Sequence, residues 1–60
     1  PGPEQARALY DFAAENPDEL TFNEGAVVTV INKSNPDWWE GELNGQRGVF
    51  PASYVELIPR

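Results

Sequence analysis

Asn44-Gly45 constrains the fold of this chain more than any other pair of residues. Both residue types tolerate the positive φ that a type I′ turn demands, and such a turn joins two antiparallel strands in two residues. The flanking runs fit that reading. Trp38-Trp39-Glu40-Gly41-Glu42-Leu43 and Gln46-Arg47-Gly48-Val49-Phe50 are each long enough for a strand. Period-2 alternation then sends the rings of Trp38 and Trp39 to opposite faces. The second half of the chain is thereby committed to a tight β-hairpin.

The remaining signals extend the hairpin into a β protein. Ala26-Val27-Val28-Thr29-Val30-Ile31 is a β-branched run that reads as a strand, with Val28 and Val30 on one face and Val27, Thr29 and Ile31 on the other. Apolar residues on both faces predict a strand inside a small barrel rather than on a half-wet sheet. Arg7 to Phe12, Leu20-Thr21-Phe22 and Val55-Glu56-Leu57-Ile58 read as further short strands. Polar segments separate them: a long loop at Ala13 to Glu19, a turn at Asn23-Glu24-Gly25 and a Pro-containing turn at Asn32 to Asp37. Pro51 ends its strand and leaves Ala52-Ser53-Tyr54 room for a single 3₁₀ turn. Gly41 and Gly48 mark places where the sheet bends or another backbone comes close. The predicted fold is a small all-β barrel of short antiparallel strands.

Size and composition narrow the function. Sixty residues allow one domain, which buries only roughly 60% of the surface its unfolded chain exposes. With no Cys and no His there is neither a disulfide nor a plausible zinc ligand, so no metal or cofactor is expected and one hydrophobic core must hold the fold. No apolar run approaches the ~20 residues of a membrane span, which predicts no insertion into membranes. Pro1 to Gln5 and Pro59-Arg60 read as linker stubs around a domain at 6–58. A net charge of −6, from ten acids against four bases, repels phosphate backbones, disfavours nucleic acid and favours basic partners.

Tyr10, Phe12, Trp38, Trp39 and Tyr54 are more rings than so thin an interior can hide, and rings with polar tips left at a surface serve recognition. Catalysis fits poorly. Ser34 and Ser53 have no evident base, and a carboxylate pair for glycoside chemistry needs a deeper cleft than this chain can form. No catalytic residue is assigned. A cage for methylated lysine built from Trp38 and Tyr54 is the alternative that the rings alone leave open.

Five motifs in order decide the matter. Ala8-Leu9-Tyr10-Asp11-Phe12, Asp18-Glu19-Leu20-Thr21-Phe22, Trp38-Trp39, Gly48-Val49-Phe50-Pro51 and Ser53-Tyr54-Val55 together resemble the Src homology 3 (SH3) domain over about Ala6 to Ile58. Within that family the chain is most similar to domains of endocytic and actin-linked scaffold proteins. The resemblance implies a five-stranded barrel of two packed sheets, with 13–19 as the tip of the RT loop, 32–37 as the n-Src loop and Asn44-Gly45 as the distal hairpin. It implies a core of Ala8, Leu20, Phe22, Val28, Val30, Phe50 and Val55, with Ala6 and Gly41 as small members. Gly41 stands where many relatives carry a larger residue, and Phe50 is expected to fill the space.

The resemblance further implies a protein-interaction module that binds proline-rich segments in the polyproline II conformation and works as a cytoplasmic adaptor. Through its parent protein it would be recruited to membranes or cortical actin, and the domain itself would be monomeric. Carried over by position, Tyr10 and Tyr54 would wall one pocket with Phe12 at its edge, and Tyr54, Pro51 and Trp38 the next. A third pocket for a ligand Arg or Lys would lie between Trp38 and the acids Glu15, Asp18, Glu19 and Asp37. Phe12 stands where relatives often have Tyr, and Ser53 where many have Asn, so Ser53 would serve only a secondary contact. Trp39 is expected to pack across the outer sheet as scaffold, Asp11 to hold backbone, and Glu4, Glu24, Glu42 and Glu56 to be simply solvated.

Overall fold

The computed structural model describes residues 2–59, so the ends of the expected stubs, Pro1 and Arg60, lie outside the described residues. Five strands appear: β1 (Gln5–Ala8), β2 (Val27–Asn32), β3 (Trp38–Leu43), β4 (Gln46–Pro51) and β5 (Val55–Leu57), with a 3₁₀ turn over Ala52–Tyr54 before β5. All strand pairings are antiparallel, in the order β4-β3-β2-β1-β5. The small all-β barrel is therefore present. Its strands form one continuous sheet rather than two separate ones, because β1 is hydrogen-bonded to both β2 and β5 and leaves no break in the ladder.

The hairpin forms as its turn residues require. Asn44 and Gly45 have φ of 54° and 82°, the left-handed pair of a type I′ turn. With only two residues in the loop the register is fixed from Leu43↔Gln46 to Trp38↔Pro51, which brings Trp38 beside Pro51.

Three local expectations change. The first strand covers Gln5–Ala8 rather than Arg7 to Phe12. The Leu9 N–H still donates to the Tyr54 carbonyl at 2.7 Å, and the chain then bends at Leu9 and Tyr10 into the RT loop. Leu20-Thr21-Phe22 is not a strand either; it contributes a single bridge, Phe12↔Phe22. Finally, β2 buries only one face. Val28 and Val30 point inward, but Val27 and Ile31 are each 42% exposed. A bulge leaves Ile31 without a partner between Val30↔Gly41 and Asn32↔Glu40, and so small a chain has no second layer to cover the outer face.

The core is the expected one: Ala6, Ala8, Leu20, Phe22, Val28, Val30, Phe50 and Val55 are buried. Phe50 meets Phe22 edge-on, with ring centroids 5.7 Å apart. Gly41 is buried as well, and the Phe50 ring occupies the room a side chain would need there. A Cβ on Gly41 would lie 2.8 Å from Phe50 Cε2 and 2.7 Å from both Val28 Cγ1 and the Thr29 carbonyl. The barrel closes at β4, whose outer edge is covered by the exit of the RT loop through a parallel bridge between Glu19 and Val49.

Candidate functional site

The exposed rings converge from three parts of the chain. Tyr10 enters from the bend after β1, Trp38 from the start of β3 and Tyr54 from the end of the 3₁₀ turn; they are 58%, 40% and 36% exposed. Phe12 links them. Its ring lies edge-on to Tyr54 at 5.8 Å and to Trp38 at 6.1 Å, and it touches the core ring of Phe22 at 5.7 Å. Tyr10 meets Tyr54 edge-on at 5.5 Å. The expected groove residues are thus contiguous in the order Tyr10, Tyr54, Phe12, Trp38. Phe12 lies between Tyr54 and Trp38 in that run, half-buried against the core ring of Phe22. Pro51 pairs with Trp38 across the hairpin, and Ser53 lies exposed between Pro51 and Tyr54.

Backbone hydrogen bonds hold the rings in place. Phe12 and Phe22 exchange N–H···O bonds of 2.8 and 3.0 Å at the base of the RT loop. Asp11 reinforces that base by accepting the Glu24 N–H on Oδ1 at 2.6 Å, and Thr21 Oγ1 accepts the Ala14 N–H at 3.0 Å. Trp38 is set by Asn35, whose Oδ1 accepts from Asp37 N (2.8 Å) and Trp38 N (3.1 Å) in an Asx turn. The Asp37 carbonyl then accepts from Ala52 N at 2.8 Å, tying the n-Src loop to the 3₁₀ turn. The positioning role of Asn35 was legible in the dipeptide Asn35-Pro36, as that of Asn16 was in Asn16-Pro17, since Asn-Pro favours turn initiation.

Among the acids, Glu19 is engaged within its own loop. Oε1 accepts the Glu15 N–H at 2.7 Å and Oε2 accepts from Asn16 Nδ2 at 3.0 Å. These donors, the Glu15 amide first and the Asn16 side chain next, hold the Glu19 carboxyl below its ordinary value of 4.5. Glu15, Asp18 and Asp37 are exposed. Among the described residues the ion pairs are Lys33–Glu4 and Arg7–Glu56, neither of which uses these four acids, and no side-chain hydrogen bond joins the RT-loop acids to Asp37.

The Glu19 bonds carry a pH signature. A carboxyl with a lowered folded-state value stabilises the fold above its unfolded value and loses that contribution as pH falls through the folded one. A carboxyl-detected NMR titration should therefore place the Glu19 midpoint below 4.5, and Glu19→Gln should flatten the loss of stability in that acid range. A midpoint at or above 4.5 would show that the loop bonds do not form in solution.

The other sequence expectations sort cleanly. Trp39 is half-buried and packs against the core, with the Lys33 ammonium 5.6 Å from its ring centroid. Glu4 is not merely solvated: its carboxylate holds Lys33 Nζ at 2.8 Å, and its carbonyl accepts the Val30 N–H at 2.8 Å. Glu56 faces Arg7 at 3.9 Å, an exposed pair of small energetic weight.

Comparison with known proteins places the fold in a family. The profile of the variant SH3 domain family matches residues 8–56. Human intersectin-1 is 55% identical over 53 residues, covering 88% of this chain and 3% of that protein. The C-terminal SH3 domain of Entamoeba histolytica myosin IB, solved with an EhFP10(GEF) peptide bound, superposes with a TM-score of 0.92 at 43% identity, covering 97% of this chain and 86% of that one. The Acanthamoeba myosin I SH3 domain bound to Acan125 gives 0.88 at 55% identity, over 95% of this chain and all (100%) of that one. The chain belongs to the SH3 family of non-catalytic interaction modules.

Proposed function

We propose that this domain binds proline-rich segments flanked by Arg or Lys, in the aromatic groove that runs from Tyr10 to Trp38. The contiguous run of exposed rings carries the reading. A polyproline II helix is already extended and has no internal hydrogen bonds, so it loses little conformational entropy on docking and presents a ridge of rings and unpaired carbonyls. Tyr10, Tyr54 and Phe12 receive one turn of that ridge; Tyr54, Pro51 and Trp38 receive the next. The Tyr hydroxyls and the Trp38 indole N–H donate to the ligand carbonyls, with Ser53 as a secondary donor. Glu15, Asp18, Glu19 and Asp37 take the basic residue and give the bound segment a direction.

In its parent protein the domain acts as an adaptor in scaffolding or signalling, in the cytoplasm and at membranes or cortical actin. The likeness to domains of intersectin-1 and class I myosins supports that setting. Titration with a Pro-x-x-Pro peptide bearing a terminal Arg is expected to show micromolar affinity that weakens as salt is added. Absence of saturation at millimolar peptide would overturn the reading.

A further inference from the structure

Gly48 is buried in β4, and the acidic loop rests on it. Two backbone bridges hold the RT loop, one between its own arms and one to the barrel. At its base the Phe12–Phe22 bridge seats Phe12 and, through it, the ring run. At its exit the Leu20 N–H donates to the Val49 carbonyl and the Val49 N–H to the Asp18 carbonyl, both at 2.9 Å. A Cβ on Gly48 would lie 2.8 Å from Glu19 C and Leu20 N and 2.9 Å from the Asp18 carbonyl oxygen. All three are backbone atoms, so no change of rotamer relieves the clash. β4 is held by six register pairs to β3, which makes the loop exit the part that yields.

Three of the four acids depend on that exit. Asp18 and Glu19 belong to it, and the Glu15 N–H is bonded to the Glu19 carboxylate at 2.7 Å. Trp38 and Tyr54 are held by other contacts, through Asn35 and Leu9. We propose that Gly48 is a positioning residue for specificity: its missing side chain lets the loop exit lie on β4 and so sets Glu15, Asp18 and Glu19 against the aromatic groove. The inference rests on the reading of that groove as a site for proline-rich segments with a basic flank.

The test compares two peptides that differ only in a terminal Arg or Gln, bound to wild type and to Gly48→Ala. The Arg-over-Gln preference should fall by at least about threefold in the variant, toward unity, while affinity for the Gln peptide stays within about twofold. Equal losses for both peptides, or a preserved preference, would overturn the inference while leaving the groove intact. Wild type that binds neither peptide would remove the proposed function and this inference together. Should the variant fail to fold, amide hydrogen exchange in wild type decides. Leu20 and Val49 should exchange as slowly as core amides, and exchange as fast as at Ala13 would show that no such seat exists.

Discussion

Replacing Phe50 with alanine is expected to remove most of the protein's folding stability. Phe50 is fully buried and stacks edge-on against Phe22. Its ring also fills the space above Gly41, which has no side chain that could collapse into a cavity. The loss should therefore fall within the large range for a buried Phe→Ala, about 3–5 kcal/mol. At about 0.05–0.15 kcal/mol per residue, a domain of this size has roughly 3–9 kcal/mol in total, so at the middle of both ranges the substitution removes about two-thirds of it. Urea unfolding followed by Trp emission checks this, with Phe50→Leu expected to stay folded because it keeps part of the apolar volume. A Phe50→Ala midpoint near that of wild type would mean that the core closes without the ring.

Trp38→Ala should have the largest effect on binding. In the proposed reading Trp38 supplies an aromatic face shared by the proline-binding groove and the basic-residue pocket, and its ring is exposed at the end of the ring run. A hot-spot loss of ~2 kcal/mol or more corresponds to about a 30-fold weaker complex. Stability should hardly move, since the ring is 40% exposed and its one described ring contact is with Phe12. Trp39→Ala reverses the pattern. That ring packs against the core, so the unfolding midpoint falls while the folded fraction still binds peptide. Calorimetric titration of both variants with one peptide separates the roles, and unchanged affinity in Trp38→Ala would sink the groove assignment.

The core and the clustering of the exposed rings were legible in the sequence because both depend on short-range signals: alternation in β2 and β3, a turn dipeptide, and family motifs in register. Phe50 over Gly41 could be anticipated since a missing side chain demands a filler. What escaped notice depends on contacts between distant segments. Phe12 lies between Tyr54 and Trp38 only because its bridge to Phe22 folds the RT loop back on itself. The Glu19 carboxylate is drawn into its loop by donors whose direction follows from the turn at Asn16-Pro17, which residue type alone does not specify. The outer face of β2 read as buried because β-branched composition reports strand preference, while burial depends on what lies above the strand. Nothing lies above Val27 and Ile31 that buries them.

The Asn44-Gly45 turn has a consequence for recognition at the far end of the hairpin. Side chains along a strand alternate between faces, so a slip of one residue in pairing would exchange the two sides of β3. Trp39 would then join the exposed ring run and Trp38 the core. The two adjacent rings are chemically identical, and only the phase of the strand tells them apart. That phase is set by a loop of two residues with positive φ. The hairpin turn, at the opposite end of the two strands, therefore determines which tryptophan joins the exposed rings.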